Sequence, residues 1–388
     1  MKKIILMIVL FITTSVCFAQ NLFLASTKFN DKYVINVFNL NDATPLANPD
    51  AFTLSDQASF FSWPSYLSVD ANGNGALYIA GFPAGDDLIH LFNAQKGAVS
   101  LTNLLPELSL STGVQPFDPN PYNIQPGYYN GQLELLGNTN RTGDIVNNKL
   151  SIYQFGEQEM SGEPHDSISS TETIFNLPPI RGLYSNLKSA FAIDNDGNHY
   201  VDYFSIFSPN GGDVVVQYLK NSPNPSAVYY LNKGQWVNYL FPYHGELYAL
   251  GMTDVSSTNN DGNDDSYRTA LKLFNQRHQL YKNYMQNMLS KHLSAKQYKN
   301  SNQIELQVKI LKLQPNALPI DITLNGVKEP GQFVIGQDAD KNESTYVLSV
   351  DQKTGQEELL MYKGGFPDST QVFDRYELDW PGAALAIN

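Results

Sequence analysis

A chain of 388 residues is longer than one compact core usually needs, so a repeat array or a large all-β domain is expected. Only 16% of it is charged, while Tyr (23) and Phe (21) are plentiful, a mixture that suits many short strands joined by turns. The net charge of −13 makes nucleic acid a poor partner for the bulk surface.

The first residues set the compartment. Lys2 and Lys3 form a positive start, and Ile4 to Phe11 is an apolar run too short to span a bilayer. Cys17-Phe18-Ala19 reads as a cleavage site, so 1–19 is expected to be a signal peptide and 20–388 a single domain. Val16 before Cys17 argues against lipidation. Cys17 is the single cysteine, so the mature chain has no disulfide and no thiolate metal site. The Lys-Lys start has a bacterial look, and the expected location is secreted or periplasmic.

The rest reads as a series of similar units. The first holds NLFLAST (21–27), YVINVFNL (33–40) and DAFTL (50–54). The second holds SYLSVD (65–70), ALYIAGF (76–82), LIHLFNA (88–94) and AVSLTNL (98–104). The third runs YNIQPGYY (122–129), QLELLGN (132–138), KLSIYQF (149–155) and ETIFNL (172–177). The fourth runs AFAID (190–194), HYVDYF (199–204), VVVQYL (214–219) and AVYYLN (227–232). The fifth has WVNYLF (236–241), ELYALGM (246–252), IELQVKIL (304–311) and IDITLNG (320–326). The sixth has QFVIGQD (332–338), STYVLSV (344–350), EELLMYK (357–363) and QVFDRYEL (371–378). Turns mark the first hairpin of four units: Asn74-Gly75, Asn130-Gly131, Asp196-Gly197 and His244-Gly245.

The first unit lacks one strand, and the apolar end of the chain, Ala383–Asn388, is available to supply it. A ring sealed by its two termini hides its sheet edges. The pattern resembles the six-bladed β-propellers along nearly the whole mature chain. The strands are loosely similar to kelch repeats, with the kelch double glycine reduced to one at Gly81, Gly137 and Gly251. The expected fold is therefore all-β: a six-bladed propeller with four-stranded blades, closed by the termini and carrying one helical insertion. Two β-sandwiches are the alternative, since regular strands and turns suit both.

Two stretches stand out as candidate sites. Asp194, Asp196, Asn198 and Asp202 hold positions 1, 3, 5 and 9 of one loop. Calcium takes about 6–8 oxygen ligands, and this spacing resembles the calcium loops of integrin-type propeller repeats. His199 stands where that family has glycine. Asp70–Asn74 and Asp338–Asn342 echo the loop without the ninth-position Asp, and an ordinary Asp/Asn/Gly turn accounts for the same residues. Calcium is the one cofactor expected.

The second stretch is Asp264–Asn300. Leu271, Phe274, Tyr281, Met285 and Met288 recur with helical spacing. Arg268, Lys272, Arg277, Lys282 and Lys291 make it basic within an acidic chain. A helical hairpin packed across one face is the plain reading, and docking to a protein partner or a membrane surface is the sharper one.

The six histidines fall in no metal-ligand spacing, and no nucleophile elbow or phosphate loop is present. Trp63, Trp236 and Trp380, with the tyrosines, serve either as blade core or as the lining of a carbohydrate groove. The first functional reading is a secreted or periplasmic scaffold that binds a protein or glycan. The second is a lactonase- or glycoside-hydrolase-like enzyme with its site in the central channel. A purely structural calcium protein is the third.

Overall fold

The computed structural model describes residues 20–28, 32–57, 63–80, 88–94, 126–129, 132–138, 150–155, 170–180, 183–184, 190–205, 212–254, 306–350, 356–366, 371–378 and 383–388. Every regular element among them is a strand. Outer strands such as Val372–Glu377 alternate between half-buried and exposed positions, while Val214–Tyr218, Pro330–Gln337, Glu343–Val350 and Glu357–Lys363 are buried on both faces.

The strands form six antiparallel sheets. The first is ordered β24-β1-β2-β3, with β1 at Asn21–Lys28, β2 at Lys32–Asn39, β3 at Asp50–Gln57 and β24 at Ala384–Ile387. The second is β4 (Trp63–Val69), β5 (Asn74–Ala80) and β6 (Leu88–Asn93). The third is β7 (Gly127–Tyr129), β8 (Gln132–Asn138), β9 (Leu150–Phe155) and β10 (Ser170–Ile174). In the fourth, β11 (Leu183–Tyr184) and β12 (Phe191–Ile193) both pair with β13 (His199–Ser205), followed by β14 (Val214–Tyr218) and β15 (Pro225–Tyr230). The fifth is β16 (Gln235–Tyr243), β17 (Glu246–Asp254), β18 (Leu306–Leu313) and β19 (Ile320–Ile322). The sixth is β20 (Pro330–Gln337), β21 (Glu343–Val350), β22 (Glu357–Lys363) and β23 (Val372–Glu377).

The first strands of successive sheets are neighbours in space: β24 with β4, β4 with β7, β7 with β12, β12 with β16, β16 with β20, and β20 with β24. That cyclic order is a propeller, and it excludes two face-packed sandwiches. Five sheets reach the four-strand width of a blade, which corrects the expected count of six such blades. The sheet β4-β5-β6 has three strands, and 98–104, expected as its fourth, lies outside the described residues. The expected first strand 122–129 is described as a strand only at Gly127–Tyr129.

The ring closes as the missing strand required. Leu22, Phe23, Leu24 and Ala25 of β1 pair with Ile387, Ala386, Leu385 and Ala384 of β24. Asn21 N donates to Asn388 Oδ1 (2.8 Å), tying together positions 367 apart. Phe23, Leu24 and Leu385 are buried, so the seam is apolar as well as hydrogen-bonded.

Side chains fill the described part of the axis. Tyr66 on β4 donates its hydroxyl to Asn238 O on β16 (2.6 Å), crossing between opposite members of the inner ring. Its ring is near-parallel to Tyr239 at 6.5 Å, and Tyr239 meets Phe333 edge-on at 5.6 Å. Gln332 on β20 donates to Ser65 O on β4 and accepts from Leu385 N on β24 at 3.1 Å.

The segment 255–305 leaves and re-enters at one point, because Asp254 and Leu306 are paired residues of β17 and β18. The expected helical insertion 264–300, with Arg268, Lys272, Arg277, Lys282 and Lys291, lies outside the described residues, as does the expected signal peptide 1–19.

Deleting 383–388 exposes a long apolar edge on β1 and empties a place in the inner ring. The melting temperature is expected to fall by roughly 10 °C, read by calorimetry. An unchanged transition is incompatible with closure by β24.

Candidate functional site

Three inner hairpins share one turn. At Asp70, Asp194 and Asp338, the backbone N–H donates to the carbonyl four residues on, at Asn74, Asn198 and Asn342. The first carboxylate oxygen takes the N–H of that Asn, at 2.8 Å in all three. The second takes the amide Nδ2 of the same Asn, at 3.0, 2.9 and 2.8 Å. The fourth residue has left-handed backbone: Gly73 (φ +77°), Gly197 (φ +83°) and Lys341 (φ +62°). The turn glycine of the second sheet is therefore Gly73. Gly75, read from sequence as the turn residue, lies within β5, where a Cβ would collide with the ring of Phe92.

This turn explains the residues singled out for calcium. Asp194 spends both oxygens inside the loop: Oδ1 accepts from Asp196 N and Asn198 N, and Oδ2 accepts from Asn198 Nδ2 and Tyr200 OH. Asn198 Oδ1 accepts from Lys220 N, and Asp196 is exposed. Asp202 lies three residues beyond His199 along β13, roughly 10 Å at the usual strand rise, and is buried. The four side chains do not converge, and among the described residues no group of three or more metal-type side chains is close enough to hold an ion. The same Asp-Asn pattern that spaces ligands also spaces the partners of an Asx turn, and sequence cannot separate the two.

The turns do create two related junctions between sheets. Tyr129-Asn130-Gly131-Gln132-Leu133-Glu134 in the third sheet corresponds to Tyr243-His244-Gly245-Glu246-Leu247-Tyr248 in the fifth. Each faces an Asp-turn hairpin of the following sheet, whose next residue is His199 in one case and Glu343 in the other.

The first junction is closed. His199 Nε2 donates to Glu134 Oε2 at 2.6 Å, and both side chains are buried. Phe191 stacks on the imidazole at 6.0 Å and Phe175 tilts against it at 5.6 Å. Above this pair, Lys220 Nζ donates to Tyr129 OH (2.7 Å) and sits 4.5 Å from the centre of its ring. Tyr129 in turn covers Gly197, where a Cβ would stand 2.7 Å from the ring.

The second junction is open. Phe241, Tyr243 and His244 form a column of near-parallel rings, with centroids 5.9 and 4.1 Å apart. His244 ends the column with its side chain 57% exposed, held out by a turn with φ +49° at His244 and +76° at Gly245. Tyr243 OH donates to Glu343 Oε1 (2.8 Å), Gln337 Nε2 donates to the same oxygen (3.3 Å), and His244 Nδ1 is 3.7 Å from it. Beside them Glu246 accepts from Tyr248 OH and from Lys312 Nζ. Those two bonds, led by Lys312, hold the Glu246 carboxyl below its ordinary range. Burial first, then Glu246 and Glu343, push the Tyr248 hydroxyl up. One tyrosine hydroxyl therefore lies within electrostatic reach of two half-exposed carboxylates.

Sequence reading named the His244-Gly245 turn and the Asp338 echo, the two signals that flank this junction. It missed Tyr243, Glu246, Tyr248, Lys312, Gln337 and Glu343, which only the pairing of two sheets brings together. Trp236 is buried in the core, while Trp380 and the side chain of Trp63 lie outside the described set.

No family model and no curated protein sequence matches the chain. Solved structures do resemble it. A GH43 endo-arabinanase from Bacillus licheniformis aligns at TM-score 0.36 and 12% identity, covering 78% of this chain and 93% of its own. An endo-arabinase from Bacteroides thetaiotaomicron VPI-5482 aligns at 0.39 and 10%, covering 80% and 99%. AofleA from Arthrobotrys oligospora aligns at 0.43 and 8%, covering 95% and 92%. At these values no activity is transferred to this chain. The class defined by the strand pairing itself is an all-β propeller.

Two substitutions test the junction chemistry. Lys341→Gly relieves a left-handed side-chain residue and is expected to stabilise by about 1 kcal/mol in urea unfolding; destabilisation would argue that the Lys341 side chain does structural work. Glu134→Ala strands a buried imidazole and is expected to cost about 3–5 kcal/mol, read as a lower urea midpoint. A cost within ~0.5 kcal/mol would show the pair to be dispensable.

Proposed function

We propose that this protein is an extracytoplasmic propeller that engages carbohydrate at the junction of the fifth and sixth sheets. The observation that carries the reading is the open imidazole ending a three-ring column beside Glu343 and Gln337. Saccharides present C–H faces that pack on rings and hydroxyls that carboxylates and amides bind. The filled axis supports recognition at the rim, since Tyr66, Tyr239 and Phe333 occupy the described part of the centre. In this reading the three-stranded sheet is a sixth blade and export is by the signal peptide. The basic segment 264–300 is then a second docking element for a protein or membrane surface.

A second reading, glycoside hydrolysis, rests on one feature of the same place. Such chemistry requires two carboxyl groups, and Glu246 accepts from a tyrosine hydroxyl that Glu343 also reaches electrostatically. Glu246, held below the ordinary carboxyl range by Lys312, would be the ionised partner.

The test is a panel of plant, fungal and bacterial oligosaccharides assayed for binding by calorimetry and for release of reducing ends. Binding without release is expected. Release that Glu246→Gln and Glu343→Gln both abolish would establish the hydrolase instead. Neither binding nor release across the panel would overturn the carbohydrate assignment.

A further inference from the structure

We infer that the open junction takes an ammonium-bearing saccharide, an amino sugar, with the cation seated against Glu343. The inference rests on the carbohydrate reading above and adds the charge of the ligand.

The argument comes from the two related junctions. Where the third and fourth sheets meet, an internal cation completes the site: Lys220 Nζ donates to Tyr129 OH and lies over its ring. Residue order past the end of the third strand points to the corresponding residue in the sixth sheet. Tyr218 faces His199 on the paired strand, and Lys220 follows two places later. Gly364 stands against Glu343, its N–H donating to Glu343 O at 2.8 Å, and Phe366 follows two places later. Phe366 turns inward, 5.4 Å from Tyr248 and 5.3 Å from Phe333, and is buried. The cation of the first junction is thus replaced in the second by an apolar side chain that faces the core.

Three further features fit an external cation there. The aromatic partner is kept, since Tyr243 holds the place of Tyr129, and the buried imidazole of the first junction gives way to Glu343, a carboxylate 32% exposed. Glycines at 364 and 365 keep the approach narrow but clear: at Gly365 a Cβ would collide with Glu343 Oε2, and at Gly364 it would meet nothing within 4 Å. Gly364 also has φ +92°, a conformation other residues resist. Lys312 is engaged by Glu246, which leaves Glu343 as the carboxylate an incoming ammonium meets. His244 then offers its ring to the sugar face, and Gln337 its amide to a hydroxyl.

The experiment titrates the whole chain with a glucosamine tetramer, its fully N-acetylated counterpart, a neutral glucose tetramer and a lysine-containing tetrapeptide. The glucosamine tetramer is expected to bind at least about tenfold more tightly than the other three, with affinity falling as salt rises. Glu343→Gln is expected to remove that preference. Tyr243→Phe, which deletes one hydroxyl only, serves if Glu343→Gln fails to fold, and is expected to weaken the glucosamine tetramer several-fold. Equal binding of the acetylated or neutral tetramer would overturn the cation and leave the carbohydrate reading standing. Equal binding of the peptide would overturn the sugar. Glucosamine binding untouched by all the folded variants would place the site elsewhere, and no binding of any saccharide would overturn both readings.

Discussion

The structure depends on how narrow its inner ring is. First strands of successive sheets converge, and their backbones cannot all reach one another with hydrogen bonds. The centre must be filled by something that is both bulky and polar at one end. Tyr66 and Gln332 meet that need. Each buries an apolar stem or ring and delivers one polar tip to a carbonyl on another sheet. Tyr239 and Phe333 then occupy the remaining space edge-to-face. The inner strands are thereby fixed relative to one another, and every junction farther out inherits their spacing.

Given that spacing, the turns decide what each junction becomes. An Asp turn holds its own carboxylate shut with an Asn side chain and an N–H. The residue that follows the Asn is then delivered against the preceding sheet. Histidine in that place pairs with a buried glutamate and locks two sheets together. Glutamate in the same place, backed by glycines, stays within reach of solvent. One backbone device yields a clasp in one location and a recess in another, and the difference lies in a handful of side chains. A buried pair of this kind is retained at a desolvation cost that apolar packing would avoid, which fits a role in fixing register between sheets.

Much of the fold was legible in the sequence because strand periodicity and turn residues are local. NLFLAST, YVINVFNL and ELYALGM declare themselves as strands, and the absent first strand pointed to AALAIN at the far end. The count of full blades was less secure, since 98–104 reads as a strand and lies outside the described residues. The Asp194 loop carries two readings for a physical reason: Asp and Asn at alternate positions satisfy an ion or a turn equally well until the hydrogen bonds are seen. Tyr243, Glu246 and Glu343 carried no signal of their own. Their chemistry arises from two hairpins nearly a hundred residues apart in sequence, and no spacing rule within either one reports it.

The seam between β1 and β24 has a consequence in time. Asn21 leaves the ribosome early, and its partner Asn388 follows 367 positions later. Until then the first sheet has an uncovered edge and the inner ring has a gap, so the earliest part of the chain is the last to be completed. Synthesis halted before 384 therefore leaves the inner side of β1 without its partner strand.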